Sequence, residues 1–254
     1  MIIKNFLNKL YISKYTLILI LISCLTGLIK EISACLLIIM FHEFGHYFIS
    51  YLFKWNIKKI NIYPFGGLTT YEEVIDKPLI EELLITISGP LNQIILYFFL
   101  YFLHNNYYVS DNYFNIVKNY HISTLIFNLL PIIPLDGSKL LNIFLNKHFN
   151  YRLSYNILSI VSILFMIIFI YIFKNSYSYF VIITFLIYEL YMYIKNKKYM
   201  FNRFIFEKYL YKNKYKKYIK INNIKKMKRN KKHLVKYNNK YLTEKESIKK
   251  IKGV

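Results

Sequence analysis

The sequence Phe41-His42-Glu43-Phe44-Gly45-His46 has the pattern H-E-x-x-H and lies in an apolar run from Ile32 to about Phe53. Residues four positions apart share one face of an α-helix, so His42 and His46 can offer two imidazole nitrogens to one zinc ion. Glu43 is then placed to act as general base on a metal-bound water. Burying these groups in an apolar helix is costly, which favours a function over a His pair merely packed in a bundle.

Long apolar segments recur along the chain, which has 254 residues, of which 56% are apolar and 19% aromatic. This composition is typical of membrane proteins, because about 20 apolar residues in a helix cross the hydrocarbon core. The sequence therefore predicts an all-α, polytopic membrane protein with about six transmembrane helices. The predicted spans are residues 15–29, 32–53, 83–103, 114–130, 157–173 and 179–194.

The net charge of +22 is distributed unevenly. Residues 195–254 carry 22 of the 35 Lys and Arg and a net charge of +19, which leaves only +3 for the rest. A polybasic segment beside a span indicates the cytoplasmic side and anionic lipid headgroups nearby. We expect a transmembrane core over 1–194, a basic cytoplasmic tail over 195–254, and both termini on the cytoplasmic side of the cell membrane.

The stretch from Ile57 to Tyr71 alternates apolar and polar residues around Pro64-Phe65-Gly66-Gly67. This alternation predicts a small β-hairpin after the second span. Its free edge could hold an extended peptide by strand addition, which a protease needs because a helix must unwind before it is cut. An ordinary connector is the equally open alternative.

Two further motifs lie near the ends of predicted spans. Ser88-Gly89-Pro90 supplies small residues that allow close approach of helices, so we expect the helix with the H-E-x-x-H motif to pack there. Pro131 and Pro134 cannot continue a regular helix and precede Asp136. A carboxylate beside a broken helix at membrane depth is an acceptable third zinc ligand. The alternative is that Asp136 caps a helix over residues 138–147.

Four segments together resemble the site-2 protease family of intramembrane zinc metalloproteases. They are His42–His46, Tyr63–Gly67, Ser88–Pro90 and Asn128–Gly137, and they most resemble the stage IV sporulation protein FB branch. The resemblance covers about residues 1–194. It implies His42, His46 and Asp136 as Zn²⁺ ligands, Glu43 as the catalytic general base and Asn128 as a polar group near the substrate or the developing oxyanion.

The sequence also departs from the family pattern at two places. Ser138 stands where the family usually has a second Gly, which we expect to leave metal binding intact. Residues 195–254 are too short for the paired nucleotide-binding CBS module of some members. The resemblance therefore gives no support for ATP sensing in this chain.

The principal expectation is a zinc metalloendopeptidase that cleaves a membrane-associated protein within the bilayer or at its cytoplasmic edge. The branch resemblance implies a membrane-tethered pro-sigma factor as substrate, and regulatory membrane proteins are further expected partners. The alternative is a membrane metal transporter or sensor with the same ligands. Further intramembrane His or carboxylates would favour it, and His121 in the fourth span stands alone.

A third hypothesis assigns the function to the basic tail. Its tyrosines alternate with lysines, as at Tyr209, Tyr211, Tyr215 and Tyr218, which is a pattern that nucleic-acid binding can use. No recognisable nucleic-acid-binding fold accompanies them. We therefore expect no specific nucleic acid partner and favour contact with lipid headgroups or substrate.

Overall fold

The computed structural model describes residues 2–63, 66–72, 75–174, 179–210, 215, 218–237 and 240–252. The chain separates into two compact units. The first unit contains Met1–Glu73 and Leu83–Leu130, and the second contains Val74–Glu82 and Pro131–Val254. The helices are α1 Ile2–Asn8, α2 Lys14–Thr26, α3 Ile29–Leu52, α4 Leu79–Asn105, α5 Asp111–Asn128, α6 Asp136–His148, α7 Tyr151–Phe173, α8 Phe180–Lys195, α9 Lys197–Leu210 and α10 Glu244–Lys252. The strands are β1 Leu10–Ile12, β2 Ile57–Tyr63, β3 Gly66–Tyr71, β4 Tyr218–Ile221, β5 Lys232–Tyr237 and β6 Lys240–Thr243.

Helix α3 forms the centre of the first unit and carries the H-E-x-x-H motif. Its buried residues recur at intervals of three and four, which defines one continuous face of the helix. That face comprises Ile32, Ala34, Cys35, Ile38, Ile39, His42, Glu43, Gly45, His46, Tyr47 and Ser50. The motif is therefore presented to the interior of the unit, among the apolar residues that pack α3 in place.

Helices α4 and α5 pack on α3 through a cluster of Ala34, Ile38, Leu96, Leu100 and Val117. The backbones of α3 and α4 approach closely at the predicted small-residue motif. A Cβ added to Gly45 would overlap the carbonyl of Ser88, and the Ser88 hydroxyl donates a hydrogen bond of 3.0 Å to the carbonyl of Gly45. The expectation that the motif-bearing helix packs against Ser88-Gly89-Pro90 is confirmed.

A three-stranded sheet in the order β1-β2-β3 completes the first unit. Strand β1 pairs in parallel with β2, and β2 pairs antiparallel with β3, from Tyr63 opposite Gly66 to Ile57 opposite Tyr71. The buried side chains of β2 join those of α1 and α3 in one core cluster; they are Phe6, Cys35, Ile39, Tyr47, Ile57, Ile60 and Ile62. This packing fixes the sheet to α3. Pro64 and Phe65 of the predicted turn lie outside the described residues.

In the second unit, α6 to α8 share an apolar cluster that includes Ile133, Leu145, Leu158 and Leu190. Residues 197–252, which we name the C-terminal module, contain α9, a second sheet and α10. In that sheet β5 pairs in parallel with β4 and antiparallel with β6. The module has its own core, formed by Phe204, Ile205, Ile221, Ile224, Met227, Val235 and Ile248 with Tyr151 and Tyr155 of α7. The basic segment after α8 is therefore folded over its described residues.

Three helices of the described chain are long and apolar enough to cross a membrane, namely α3, α4 and α7. Helix α2 is apolar but shorter, with 13 residues. Many apolar side chains of α4 and α7 are exposed, such as Ile95, Phe98, Ile167 and Ile172. An exposed apolar helix surface of this extent is typical of a protein solvated by lipid, so the chain is a membrane protein with a mostly helical fold.

The C-terminal module holds the connection between β3 and α4 through buried ion pairs. The Lys208 ammonium is fully buried and forms an ion pair with Asp76, with Nζ 2.7 Å from Oδ2. This contact does not have the geometry of a hydrogen bond. The same ammonium donates a hydrogen bond of 2.9 Å to the backbone carbonyl of Lys231. Oδ1 of Asp76 accepts a hydrogen bond of 2.8 Å from the backbone N–H of Asn230. Arg229 pairs with Glu82 at 2.7 Å. Asp76 and Glu82 of this connection are thus paired with charges of the same unit.

We expect Lys208→Met to destabilise the chain by about 3–5 kcal/mol, because it leaves the buried Asp76 carboxylate without its compensating charge. The apparent Tm in detergent should fall by roughly 10 °C. Lys58→Met is the control: Lys58 pairs with Glu72 at 3.3 Å, both side chains are more than half exposed, and the Tm should hardly change. An equal Tm for both variants would contradict a structural role for the buried pair.

Candidate active site

His42, Glu43 and His46 lie within one turn of α3, and each is no more than 4% exposed. The two imidazole rings face each other, with Nε2 of His42 3.1 Å from Nε2 of His46. The i and i+4 spacing thus produces the convergence that the sequence predicted. Glu43 lies on the adjacent part of the same buried face.

The tautomer of His46 follows from its hydrogen bond to α4. Its Nδ1 lies 2.7 Å from the backbone carbonyl of Ile85. A carbonyl oxygen can only accept, so Nδ1 carries the proton and Nε2 carries a lone pair. Nδ1 of His42 lies 3.1 Å from Oε1 of Gln93, which is also an acceptor. The lone pairs of both Nε2 atoms are therefore directed into the space between the two rings.

The donor set fits a zinc ion. Two lone pairs at 3.1 Å repel each other, and a cation bound by both removes the repulsion. In tetrahedral zinc sites with Zn–N of about 2.0–2.1 Å, two ligating nitrogens are roughly 3.3 Å apart. A Cβ added to Gly89 of α4 would overlap Nε2 of both histidines. The absence of a side chain at Gly89 therefore leaves space beside the two Nε2 atoms. Neutral imidazoles with a fixed second nitrogen are ordinary zinc ligands.

Asp136 is the first residue of α6 and is 4% exposed. The N-cap position belongs to Leu135, and no side chain caps the helix, so Asp136 is not the capping residue. Its Oδ1 accepts a hydrogen bond of 2.8 Å from the ammonium of Lys139. Asp136 belongs to the second unit, whereas His42 and His46 belong to the first, so its role as the third zinc ligand stays a prediction.

Glu43 is oriented by β3, which sequence reasoning did not foresee. Oε2 of Glu43 accepts a hydrogen bond of 2.6 Å from the Thr69 hydroxyl, and Thr69 is 7% exposed. A Cβ added to Gly67 would overlap the Glu43 carboxyl group, so a larger residue there would displace this carboxyl group from its present position. The sequence pointed to Gly67 as a turn residue. Gly67 and Glu43 are far apart in the sequence, so the local sequence pattern does not predict their contact.

Asn128 is the last residue of α5 and lines a small cavity beside His42. The cavity has a volume of about 10 Å³, close to the space that one water molecule needs. Its other lining residues are Ile38, Ile39, Gly66, Gly67, Gln93 and Thr124. Asn128 thus shares a cavity with His42, and the role that the family resemblance implies for it stays a prediction.

The surroundings of the site include one residue that the sequence did not reveal, Gln93, and the histidine of the fourth predicted span, His121. Gln93 is fully buried on α4 and contacts His42, although nothing in the local pattern marked it. His121 of α5 is a buried, packed histidine: its backbone carbonyl accepts a hydrogen bond of 2.9 Å from the Gln93 amide, and its ring stacks on Tyr97 with centroids 4.6 Å apart. The site therefore extends from α3 through α4 to α5.

Comparison with known proteins places this geometry in a family. Residues 31–110 match the model of Peptidase family M50. The chain is 32% identical over 209 residues to "Stage IV sporulation protein FB" of Bacillus subtilis, across 81% of this chain and 73% of that protein. It is 28% identical over 116 residues to "Zinc metalloprotease MJ0392" of Methanocaldococcus jannaschii, across 44% of this chain and 33% of that protein.

The fold has a solved counterpart. The structure of "Site-2 Protease from Methanocaldococcus jannaschii" matches with a TM-score of 0.57 and 21% identity, covering 72% of this chain and 89% of that one. The two sequence relatives and the matched motif favour a peptidase over the metal transporter or sensor considered above. With its paired imidazoles and the adjoining Glu43 on one buried helix face, this chain belongs to peptidase family M50 and is an intramembrane zinc metalloendopeptidase.

Proposed function

We propose that His42, His46 and Asp136 hold the zinc ion, that Glu43 is the general base, and that the substrate is a membrane-associated protein. The observation that carries this proposal is the pair of buried imidazoles on α3, with Nε2 of His42 3.1 Å from Nε2 of His46 and Glu43 buried on the same helix face. Two imidazoles and one carboxylate make a three-ligand set that leaves a fourth position for water, as in catalytic zinc sites. The transporter alternative gives no reason for a glutamate beside these ligands.

The chemistry divides between the metal and the chain. Bound zinc supplies a water of lowered pKa and polarises the scissile carbonyl. Glu43 takes up a proton at its carboxylate and delivers it to the leaving amine. The Thr69 hydroxyl restrains the Glu43 carboxylate during this transfer through the bond to Oε2. Asn128, beside the cavity next to His42, supplies an amide toward the substrate or the developing oxyanion.

The topology that we propose has six spans, formed by α2, α3, α4, α5, α7 and α8. Helices α3, α4 and α7 support it by length and hydropathy. Helix α2, with 13 residues, needs local thinning of the bilayer, and α5 and α8 have 18 and 16 residues. Lysines after α3 and throughout the C-terminal module indicate that both termini are cytoplasmic. Exposed lysines of the module then lie near anionic headgroups, and regulatory membrane proteins are further partners.

We further propose that β2 and β3 act as a hairpin that receives the substrate as an extended strand. In the order β1-β2-β3, strand β3 lies at an edge and offers backbone groups for pairing. The same strand carries Thr69, which contacts Glu43, so a strand added there would lie beside the base. The similarity to stage IV sporulation protein FB points to a membrane-tethered pro-sigma factor as substrate.

Glu43→Gln should lower cleavage by about 10²–10⁴-fold, because the amide cannot accept the proton, while zinc binding is retained. The measurement is cleavage of a membrane-tethered peptide in liposomes together with the zinc content of the purified chain. Glu72→Gln is the matched control, since Glu72 is half exposed and pairs only with surface groups. Turnover of Glu43→Gln at the wild-type rate would remove Glu43 from the mechanism.

Asp136→Ala should reduce the zinc content from about one ion per chain to a small fraction, because only two ligands remain. Asp111→Ala, which changes an aspartate whose side chain is 94% exposed, should bind zinc as the wild type does. Metal uptake into proteoliposomes by the wild-type chain without peptide cleavage would contradict the proposed function and favour the transporter.

A further inference from the structure

Gln93 places a fully buried amide within an apolar stretch of α4. A buried amide in a membrane helix is costly unless its donors and acceptors are satisfied. Each end of this amide is satisfied by a different helix. Oε1 lies 3.1 Å from Nδ1 of His42 on α3, and Nε2 lies 2.9 Å from the His121 carbonyl and 2.8 Å from the Thr124 hydroxyl on α5.

The contacts on α5 determine which way the amide points. The carbonyl of His121 can only accept, so the group facing it is the NH₂ of Gln93. The Thr124 hydroxyl lies 2.7 Å from the carbonyl of Tyr120 and donates to it, which leaves its lone pairs to accept from Gln93. The carbonyl oxygen of Gln93 must therefore face His42, and Nδ1 of His42 must carry the proton.

We propose that Gln93 is a positioning residue of the metal centre. It holds His42 in the tautomer that is protonated at Nδ1, so that the lone pair of Nε2 is directed at the metal. His46 needs no such side chain, because the Ile85 carbonyl of α4 does the same for its ring. The inference rests on the proposed zinc site, and it makes the orientation of one ligand depend on α5.

The experiment measures zinc affinity of the full chain in detergent by competition with a chelator. Gln93→Met, which removes the acceptor at similar volume, should weaken zinc binding by about 10–100-fold. Gln93→Glu should restore affinity close to wild type, because a buried acid stays protonated, accepts from His42 and donates toward His121. Asn146→Leu controls for loss of a buried amide, since Asn146 bonds only within α6 in its described contacts, and it should leave zinc affinity unchanged.

A second readout reports the tautomer directly. In the wild-type chain with ¹⁵N-labelled histidine, NMR should show His42 protonated at Nδ1, and in Gln93→Met this signal should shift or broaden. If Gln93→Met does not fold, Thr124→Val replaces it: the loss of one acceptor should weaken zinc binding by a smaller factor, and unchanged affinity would contradict the proposal.

Two other results would also overturn the inference. One is wild-type zinc affinity in folded Gln93→Met. The other is an equal loss of affinity and of Tm in Gln93→Met and Gln93→Glu, which would show a packing role. Both leave the proposed function intact, because that function fails only if the wild-type chain binds no zinc or does not cleave.

Discussion

The proposed zinc site depends on one constraint: two imidazoles buried among apolar helices must each have an acceptor for Nδ1–H, so that both Nε2 atoms are left for the metal. Helix α4 supplies the acceptors, as the Ile85 carbonyl and the Gln93 side chain. They reach α3 only because Gly45 lies against Ser88 and because Gly89 has no side chain beside the rings. The close packing of α3 on α4 is thus a requirement of the chemistry as well as of stability.

The first sheet also contributes to this site, because its strand β3 contacts Glu43. Strand β3 provides the Thr69 hydroxyl to Glu43 and, at Gly67, the space that the carboxylate occupies. Because β2 is anchored by Ile60 and Ile62 in the core beside α3, this contact is held by buried apolar packing rather than by a mobile loop. In the proposed mechanism, β3 would both orient the base and receive the substrate strand, which joins substrate docking to proton transfer in one element.

The sequence was sufficient for the parts of the site that are encoded locally. The i and i+4 spacing predicted that His42 and His46 face each other on one side of a helix, and the small residues around Gly89 predicted the helix contact. It was insufficient for Thr69, Gln93 and His121, because each acts through a partner at least 26 positions away, and no local pattern records such pairing. The same reason explains why the three-residue strand β1, paired with β2 about 50 positions later, had no signal.

Net charge was the least reliable guide to whether a segment folds, as the C-terminal module shows. A Lys-rich segment is expected to remain solvated, yet its apolar residues at Phe204, Met227 and Val235 build a core. Lys208 and Arg229 are buried and neutralised by Asp76 and Glu82, which lie far away in the sequence. Part of the +19 therefore stabilises the fold by holding the connection between β3 and α4. Only the exposed lysines remain to attract anionic lipid, so net charge counted along the sequence overstates the field at the module's surface.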